Sequence, residues 1–350
     1  MQKHEKEKIK TFSIGFSGTG DFNELADARN SSKFIGSEHY EIELNQKEYM
    51  EFFFKSFYYT EEPIAEPTIS ALYYVAKLAS KHLKVVLGGQ GADEPLAGYY
   101  RYVGENYISK YAFLLNKLPL KTIAALIPRN ERFKRAAYVS KFKSELQRFL
   151  GIYTIFTPVQ KEFLFNIDVK KTINNVDDIL VERLYSKTGG LNDSLSRIMF
   201  IDTRMSLSDN LLLFNDKITM ANSLEMRVPF LDLELVKFLE SLPSSFKLRG
   251  KTRKYIHKEA VKKWLPDKII YRKKRGFETP MDKWLQSDLS SKAREIFNAK
   301  NSACSQYFIL SNINKMIQQH QKGEENFCRH IFALLSFELW YQSFFEKNDW

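Results

Sequence analysis

Three short strand-like runs in the first hundred residues are separated by stretches of helical period, and no other feature narrows the fold as much. Lys10-Thr11-Phe12-Ser13-Ile14-Gly15-Phe16 reads as a short buried strand. His39-Tyr40-Glu41-Ile42-Glu43-Leu44 alternates with period two, and Lys84-Val85-Val86-Leu87 is a compact apolar strand. Between them the pattern predicts one helix from Asn23 to about Ile35 and a second, capped by Asn45, through the aromatic stretch Tyr49 to Tyr59. Glu61-Glu62-Pro63 breaks the second, and a third runs from about Thr68 to Lys81. Strands joined through helices need crossover connections, so the sheet is expected to be mostly parallel. In open sheets of this kind ligands bind beyond the carboxyl ends of the strands. The turn Gly88-Gly89-Gln90-Gly91-Ala92-Asp93-Glu94 lies at such an end.

Strand signals fade from about residue 100. Residues 101–165 read as basic, aromatic-rich helices, 168–187 as a further helical segment and Thr188-Gly189-Gly190 as a loop. From Ser194 onward the chain reads as helix, interrupted at Val228-Pro229, Leu242-Pro243, Leu265-Pro266 and Thr279-Pro280. The expected architecture is α/β, a partial doubly wound parallel sheet followed by a large helical part.

The net charge of +11 is concentrated in two places. Residues 101–150 hold 11 basic and 3 acidic residues, and residues 249–275 hold 12 and 2, so the remainder is mildly acidic. Such segments suit nucleic acid, a membrane surface or a phosphorylated small molecule, or are simply a solvated helix face. None of the nucleic-acid recognition motifs is present. No window reaches the ~18–20 unbroken apolar residues of a spanning helix. The polar start Met1-Gln2-Lys3-His4-Glu5-Lys6 leads into no apolar signal stretch. Cys304 and Cys328 make no disulfide framework and suit a reducing compartment. These features together predict a cytoplasmic protein without a membrane partner, and they rank a polynucleotide partner low.

Three segments could carry chemistry. In the turn after Leu87, glycines let the backbone approach a ligand and aim N–H groups at a phosphate, and Asp93 adds a carboxylate for Mg²⁺. The alternative is an ordinary tight turn with two solvated acids. Farther on, Asp216 begins a stretch in which Glu225, Arg227 and Asp232 are charges set among apolar residues. Such charges usually pair with each other, as a structural clamp. Finally, Tyr271-Arg272-Lys273-Lys274-Arg275-Gly276-Phe277 puts four cations before a glycine and an aromatic. A lysine on such a loop can close over a phosphoryl group and neutralise developing charge. A solvated basic loop is the alternative there. The histidines show no metal spacing, and no nucleophile elbow occurs.

In order along the chain, these blocks resemble the synthetase domain of glutamine-dependent asparagine synthetases. Lys10 to Phe16 is similar to the family's second sheet strand. Glu61-Glu62-Pro63 through Glu66-Pro67 is similar to its acidic segment, and Gly89 to Glu94 with Gly98-Tyr99 to its second phosphate-binding loop. Asp216 to Asp232 resembles the signature ending Arg-Val-Pro-Phe-Leu-Asp, Arg272 to Phe277 the lysine loop, and Asn326 to Trp340 the closing helix. The resemblance implies an ATP-pyrophosphatase fold of the adenine nucleotide alpha hydrolase kind. Residues 1–100 would be its nucleotide-binding layer, 101–193 a basic helical insertion and 194–350 the helical part completing the site. It implies ATP and Mg²⁺ as cofactors, aspartate or a related carboxylate as substrate, and ammonia from a glutaminase domain. The implied chemistry is an acyl-adenylate with release of pyrophosphate, from which ammonia displaces AMP.

By the same resemblance, Ile14, Gly88, Gly89 and Gly91 would face the nucleotide and Asp93 would hold Mg²⁺. Lys274 would stabilise the transferring phosphate with Arg275 nearby, and Glu62, Asp216, Glu225, Arg227 and Asp232 would mark the structural signature. Three departures accompany it. Residue 2 is Gln rather than a nucleophilic Cys, so the glutaminase domain is expected outside this chain. No Ser-Gly-Gly-x-Asp-Ser loop is found: Phe16 to Asp21 follows the second strand and reads as a connecting loop. The strand carrying that loop would lie between those at Ile14 and Val86, and its absence would impair catalysis by this chain alone. Gln90 replaces a carboxylate and cannot serve as a base. A non-catalytic remnant, or a partner subunit with a complementing chain or a second copy, is the alternative to an active synthetase, and a basic nucleic-acid binder ranks last.

Overall fold

The computed structural model describes residues 1–17, 24–115, 118–127, 129–172, 176–272 and 279–346. β1 (Lys10–Phe16) and β2 (Glu38–Leu44) pair in parallel along their whole length, from Lys10 opposite Glu38 to Phe16 opposite Leu44. α1 (Leu25–Ile35) lies between them in sequence and ends at Gly36, whose φ of 79° suits a residue without Cβ. The expected start at Asn23, like the connecting loop over Gly18 to Asp21, lies outside the described residues.

α2 (Gln46–Thr60) begins with a reciprocal cap: the Asn45 side chain accepts from the Glu48 N–H, and the Asn45 N–H donates back to the Glu48 carboxylate. Tyr49, Phe52, Phe53 and Phe57 recur at helical spacing and are buried on one face. α3 (Ile69–Ser80) leads into β3 (Val85–Leu87).

The partner of β3 comes from far along the chain. β4 (Glu225–Arg227) runs parallel to it, with Val85 opposite Glu225 and Leu87 opposite Arg227. This corrects the reading of everything beyond Ser194 as helical. A three-residue Glu-Met-Arg strand is too short for its alternation to stand out, and its pairing is entirely non-local. A small antiparallel pair, β5 (Leu248–Arg249) with β6 (Thr252–Arg253), is a second correction of the same kind. Among the described residues no strand pairing joins the two parallel pairs. They nonetheless share a support: Phe12 of β1 and Val86 of β3 both pack on Ala76 and Ala79 of α3 with Leu224.

The rest is helical. α4 (Tyr100–Leu115), α5 (Glu131–Val139), α6 (Glu145–Tyr153) and α7 (Pro158–Leu164) span the basic region. α8 (Ser194–Arg204) is followed, after a non-helical Met205, by a π-helical stretch over Ser206–Leu212 that runs into α9 (Leu213–Met220). α10 (Leu233–Ser241) and α11 (Tyr255–Val261) flank the β5–β6 hairpin. α12 (Met281–Gln286), α13 (Asp288–Phe297), α14 (Ala303–Tyr307), α15 (Leu310–Gln321) and α16 (Cys328–Phe345) close the chain. No described helix is long and apolar enough to cross a membrane.

The larger core joins the two ends of the sequence. Ile14, Phe16, Leu44 and the α2 aromatics pack with Trp284, Phe297, Ile317 and Phe332. Each such side chain contributes about 1.5–3 kcal/mol on leaving water. A second core gathers Tyr102, Phe149, Leu195, Ile198 and Leu248. At its edge the buried pair Glu105–Arg148, with donor–acceptor distances of 2.6 and 2.8 Å, ties α4 to α6.

Candidate active site

β3 delivers the chain into the Gly88–Gly98 turn at the carboxyl end of the β3–β4 pair. The Gly88 N–H donates to the Arg227 carbonyl at 2.8 Å, extending the ladder by one bond. A Cβ on Gly88 would lie 2.6 Å from Met226 Sδ, and one on Gly91, whose φ is 76°, would lie 2.3 Å from Leu231 Cγ. Both positions are therefore closed by packing against the 225–231 segment. Gly89 is different: nothing lies within 4 Å of a Cβ built there, so this face of the backbone is open to a ligand. At the far end of the turn the Gly98 N–H donates to the Asp93 carbonyl at 2.7 Å.

The Asp93 carboxylate is not a solvated acid. It pairs with Lys254 Nζ at 3.1 Å, with each side chain about one-fifth exposed. Lys254 adopts a left-handed φ of 52°, and its N–H donates to the Leu96 carbonyl. Arg253 donates to the Gly98 carbonyl at 2.9 Å and lies 3.7 Å over the Tyr100 ring. Burial, then Arg253 and Lys254, lowers the pKa of Lys258, and burial, then Lys254, lowers that of His257. Part of the strongly basic 249–275 segment thus sits directly on the glycine turn. Sequence reasoning placed Asp93 there but missed Arg253 and Lys254; their charge was visible, their contact was not.

Behind the turn, Glu94 is fully buried. Its Oε1 accepts the Tyr99 hydroxyl at 2.6 Å, its Oε2 has no partner, and burial raises its pKa. The Arg101 guanidinium stacks 3.7 Å over the Tyr99 ring and donates to buried Asp202 of α8 at 2.6 and 3.0 Å. The hydroxyls of Tyr102 and Tyr153 donate to the same carboxylate. This network went unread in the sequence, although Tyr99 and Arg101 directly follow the glycine turn.

Gln90 reaches Asn215 of α9, with 3.5 Å between its Nε2 and Asn215 Oδ1. The neighbouring Asp216 is exposed, whereas Lys217 donates to the Thr60 carbonyl at 2.7 Å and pairs with Glu61 at 3.0 Å. The acidic segment is held from four further directions. Trp340 donates to the Glu61 carbonyl, Ser336 to that of Ile64, and both Tyr49 and Thr279 to that of Pro67, at 2.7–2.9 Å. Glu62 itself is exposed, and its carbonyl accepts from Thr60 at 3.2 Å. Ile14 is a core residue opposite Ile42.

The charges expected among apolar residues are placed differently. Glu225 and Arg227 pair at 2.7 Å but are 53% and 65% exposed, because β4 turns both outward and only Met226 inward. Asp232 is also exposed and caps α10, accepting from the Glu234 and Leu235 N–H groups. Lys274 and Arg275 lie outside the described residues. On either side of them, Tyr271 stands near Lys258 and Lys262, and Thr279 is anchored on Pro67.

No cluster of three or more His, Cys, Asp or Glu suited to a metal occurs among the described residues. Asp93 offers one carboxylate. Mg²⁺ commonly takes one or two protein carboxylates and completes its shell with phosphate oxygens and water. The donor set therefore fits a Mg²⁺ that arrives with a phosphorylated ligand. The open Gly89 backbone and the cations at Arg253 and Lys254 suit the same kind of ligand.

The profile of the asparagine synthase family matches residues 1–342. A glutamine-hydrolysing asparagine synthetase of Bacillus subtilis is 29% identical over 97% of this chain and 53% of its own length. A putative glutamine-hydrolysing asparagine synthetase of Mycobacterium tuberculosis is 30% identical over 97% of this chain and 52% of its own length. More distantly, the amidase chyE of Penicillium rubens is 23% identical over 84% of the chain. The chain spans about half the length of these curated synthetases. With its glycine turn, acidic segment and closing helix all inside the matched region, the chain belongs to the asparagine synthase family.

Proposed function

We propose that this chain carries the synthetase half of an asparagine synthetase: ATP-dependent conversion of aspartate and ammonia to asparagine, AMP and pyrophosphate. The observation that carries the reading is the Gly88–Gly98 turn, where an open backbone, a Mg²⁺-compatible carboxylate and two cations meet at the end of a parallel strand pair. In this reading Gly88, Gly89 and Gly91 with the backbone at Ile14 line the nucleotide site, and Asp93 holds Mg²⁺ on the phosphates. Lys274, with Arg275, neutralises charge on the transferring phosphate. Mg²⁺ supplies charge neutralisation on the phosphate oxygens. Gln90 orients rather than abstracts a proton, since an amide is no base. Nitrogen comes from a glutaminase domain. The two parallel pairs are then parts of one doubly wound sheet.

A second reading is favoured by the lack, among the described residues, of any pairing between β1–β2 and β3–β4. Here the chain is a subunit that needs a complementing strand before it turns over. One experiment separates the two: Mg²⁺-dependent ATP binding and aspartate-dependent pyrophosphate release, measured with ammonium present. Binding with turnover at family-like rates supports the first reading. Binding with turnover only after addition of a peptide bearing a Ser-Gly-Gly-x-Asp-Ser strand supports the second. Absence of ATP binding sinks both.

A further inference from the structure

A hollow of about 140 Å³ opens between α7, Phe308 and the middle of α16. No residue of the Gly88–Gly98 turn borders it. Leu164 and Leu334 line it and are buried, whereas Phe156, Phe165, Phe308 and Phe337 line it and are only half-buried. Packed interiors leave few voids larger than a water molecule, so an apolar hollow of this size asks for an occupant.

Two features keep it open. Along α16, Phe332, Leu334 and Leu335 are large and buried, while Ala333 between them brings only a methyl group to the hollow. The wall formed by Phe165 and Phe308 is locked, because these two residues make an isolated antiparallel bridge. The Ile309 N–H donates to the Leu164 carbonyl at 2.8 Å, and the Asn166 N–H to the Tyr307 carbonyl at 3.1 Å. The Asn312 side chain donates to the Phe163 carbonyl at 2.6 Å, so α15 holds the end of α7 in place as well. The walls are therefore preformed, as small-molecule sites usually are.

The lining selects an aromatic ring. Phe165 and Phe308 stack at 5.3 Å, and Phe337 meets Phe308 edge-on at 5.6 Å and 86°. Rings thus border the hollow in both orientations, and a further ring can join them by face or edge. The size agrees: an engineered cavity of about 150 Å³ lined by Leu, Ile and Phe stays dry and takes up benzene. Lys161 is the one charged residue of the lining. It is exposed, and among the described residues its ammonium makes no ion pair. A lysine so placed lays its stem on apolar surface and keeps its head in water, which sets positive charge at the mouth. There a ring with a cationic substituent is repelled and one with a carboxylate is favoured.

We propose that this hollow binds a single-ring aromatic carboxylate, with the ring among the four phenylalanines and the carboxylate at the mouth beside Lys161. The apolar hollow supplies the binding and Lys161 the choice of substituent. The site is independent of the ATP-dependent reading.

The test uses the full chain at fixed ionic strength, titrated with sodium phenylacetate, sodium acetate and phenethylamine hydrochloride. It follows the Ala333 methyl NMR signal, which a ring in the hollow must shift, and the heat of binding. The expected result is a saturable Ala333 shift with phenylacetate, none with acetate, and weaker binding of phenethylamine. Ala333→Leu fills the hollow and should weaken phenylacetate by about tenfold or more, read from the heat of binding. Lys161→Gln should keep ring binding but remove the preference for phenylacetate over phenethylamine. Near-UV circular dichroism checks each variant. If Ala333→Leu does not fold, the wild-type Ala333 shift and the exposed Lys161→Gln variant decide. No saturable shift at Ala333, equal binding of acetate, unchanged affinity in folded Ala333→Leu, or an intact preference in Lys161→Gln would overturn the proposal.

Discussion

Lys254 Nζ lies 3.1 Å from Asp93 Oδ1, so the carboxylate proposed to hold Mg²⁺ already holds a protein cation. The pair joins the glycine turn to the basic segment before α11. A metal bound at Asp93 must share or displace that lysine, and a nucleotide phosphate would give the lysine a second anion.

Asp93→Asn should remove the Mg²⁺ dependence of ATP binding and weaken it tenfold or more, about 1.4 kcal/mol or above. Lys254→Met should weaken nucleotide binding in a salt-sensitive way while leaving the Mg²⁺ requirement in place. Titration with a fluorescent ATP analogue at two salt concentrations reads both. Equal Mg²⁺ dependence in wild type and Asp93→Asn would remove Asp93 from the metal role.

Two glycines of the same turn should part company. Gly91→Ala forces a Cβ into Leu231 at a left-handed φ and should cost about 1–3 kcal/mol by urea denaturation. Gly89→Ala meets nothing and should leave stability unchanged, yet hinder phosphate approach. A stability loss at Gly89 equal to that at Gly91 contradicts the open-face assignment.

Glu338 in α16 is fully buried and gathers the N-terminus of α14. It accepts from the Ser302 hydroxyl and the Ala303 and Cys304 N–H groups at 2.7–3.1 Å. Glu338→Leu should cost about 2 kcal/mol or more, because the α14 donors would stay buried without an acceptor. The urea midpoint is the measurement, and a change below 0.5 kcal/mol, roughly the size of an exposed-surface effect, would show that water replaces the carboxylate.

His330 gives a pH signature. Its folded pKa, about 4, lies below the ordinary 6.5, so the unfolded chain binds the extra proton first. Stability is then fully present above pH 6.5 and is lost as pH falls toward 4. Between pH 7 and pH 4.5 the wild type should lose about 2–3 kcal/mol that His330→Phe does not. Parallel losses in the two proteins would mean that the imidazole is protonated normally.

Local signals were readable in the sequence, and non-local ones were not. β1, the Asn45 cap, α3 and β3 each rest on residues a few positions apart, and each stands where periodicity and capping put it. β4 was hidden because three alternating residues are too few to mark a strand, and only pairing with β3 defines it. The Asp93–Lys254 and Arg101–Asp202 contacts were hidden for the same reason: residue type marks a charge, and the fold chooses its partner. Glu225, Arg227 and Asp232 show the converse, since apolar sequence neighbours did not bring burial.

The stretch from α8 across the non-helical Met205 and the π-helical turn to α9 carries Asp202 on its first part and Asn215 on its last. One residue in a helix corresponds to about 100° of rotation. The wide turn over Ser206–Leu212 therefore acts as a phase adjuster: it sets the angle at which the side holding Arg101 and the side meeting Gln90 point. Deleting a single residue there would leave both ends helical but turn one against the other by about 100°. It would rotate Asn215 away from Gln90 and carry Ile218 out of the larger core with it, so the glycine turn, the buried acid and the core are set by one angle.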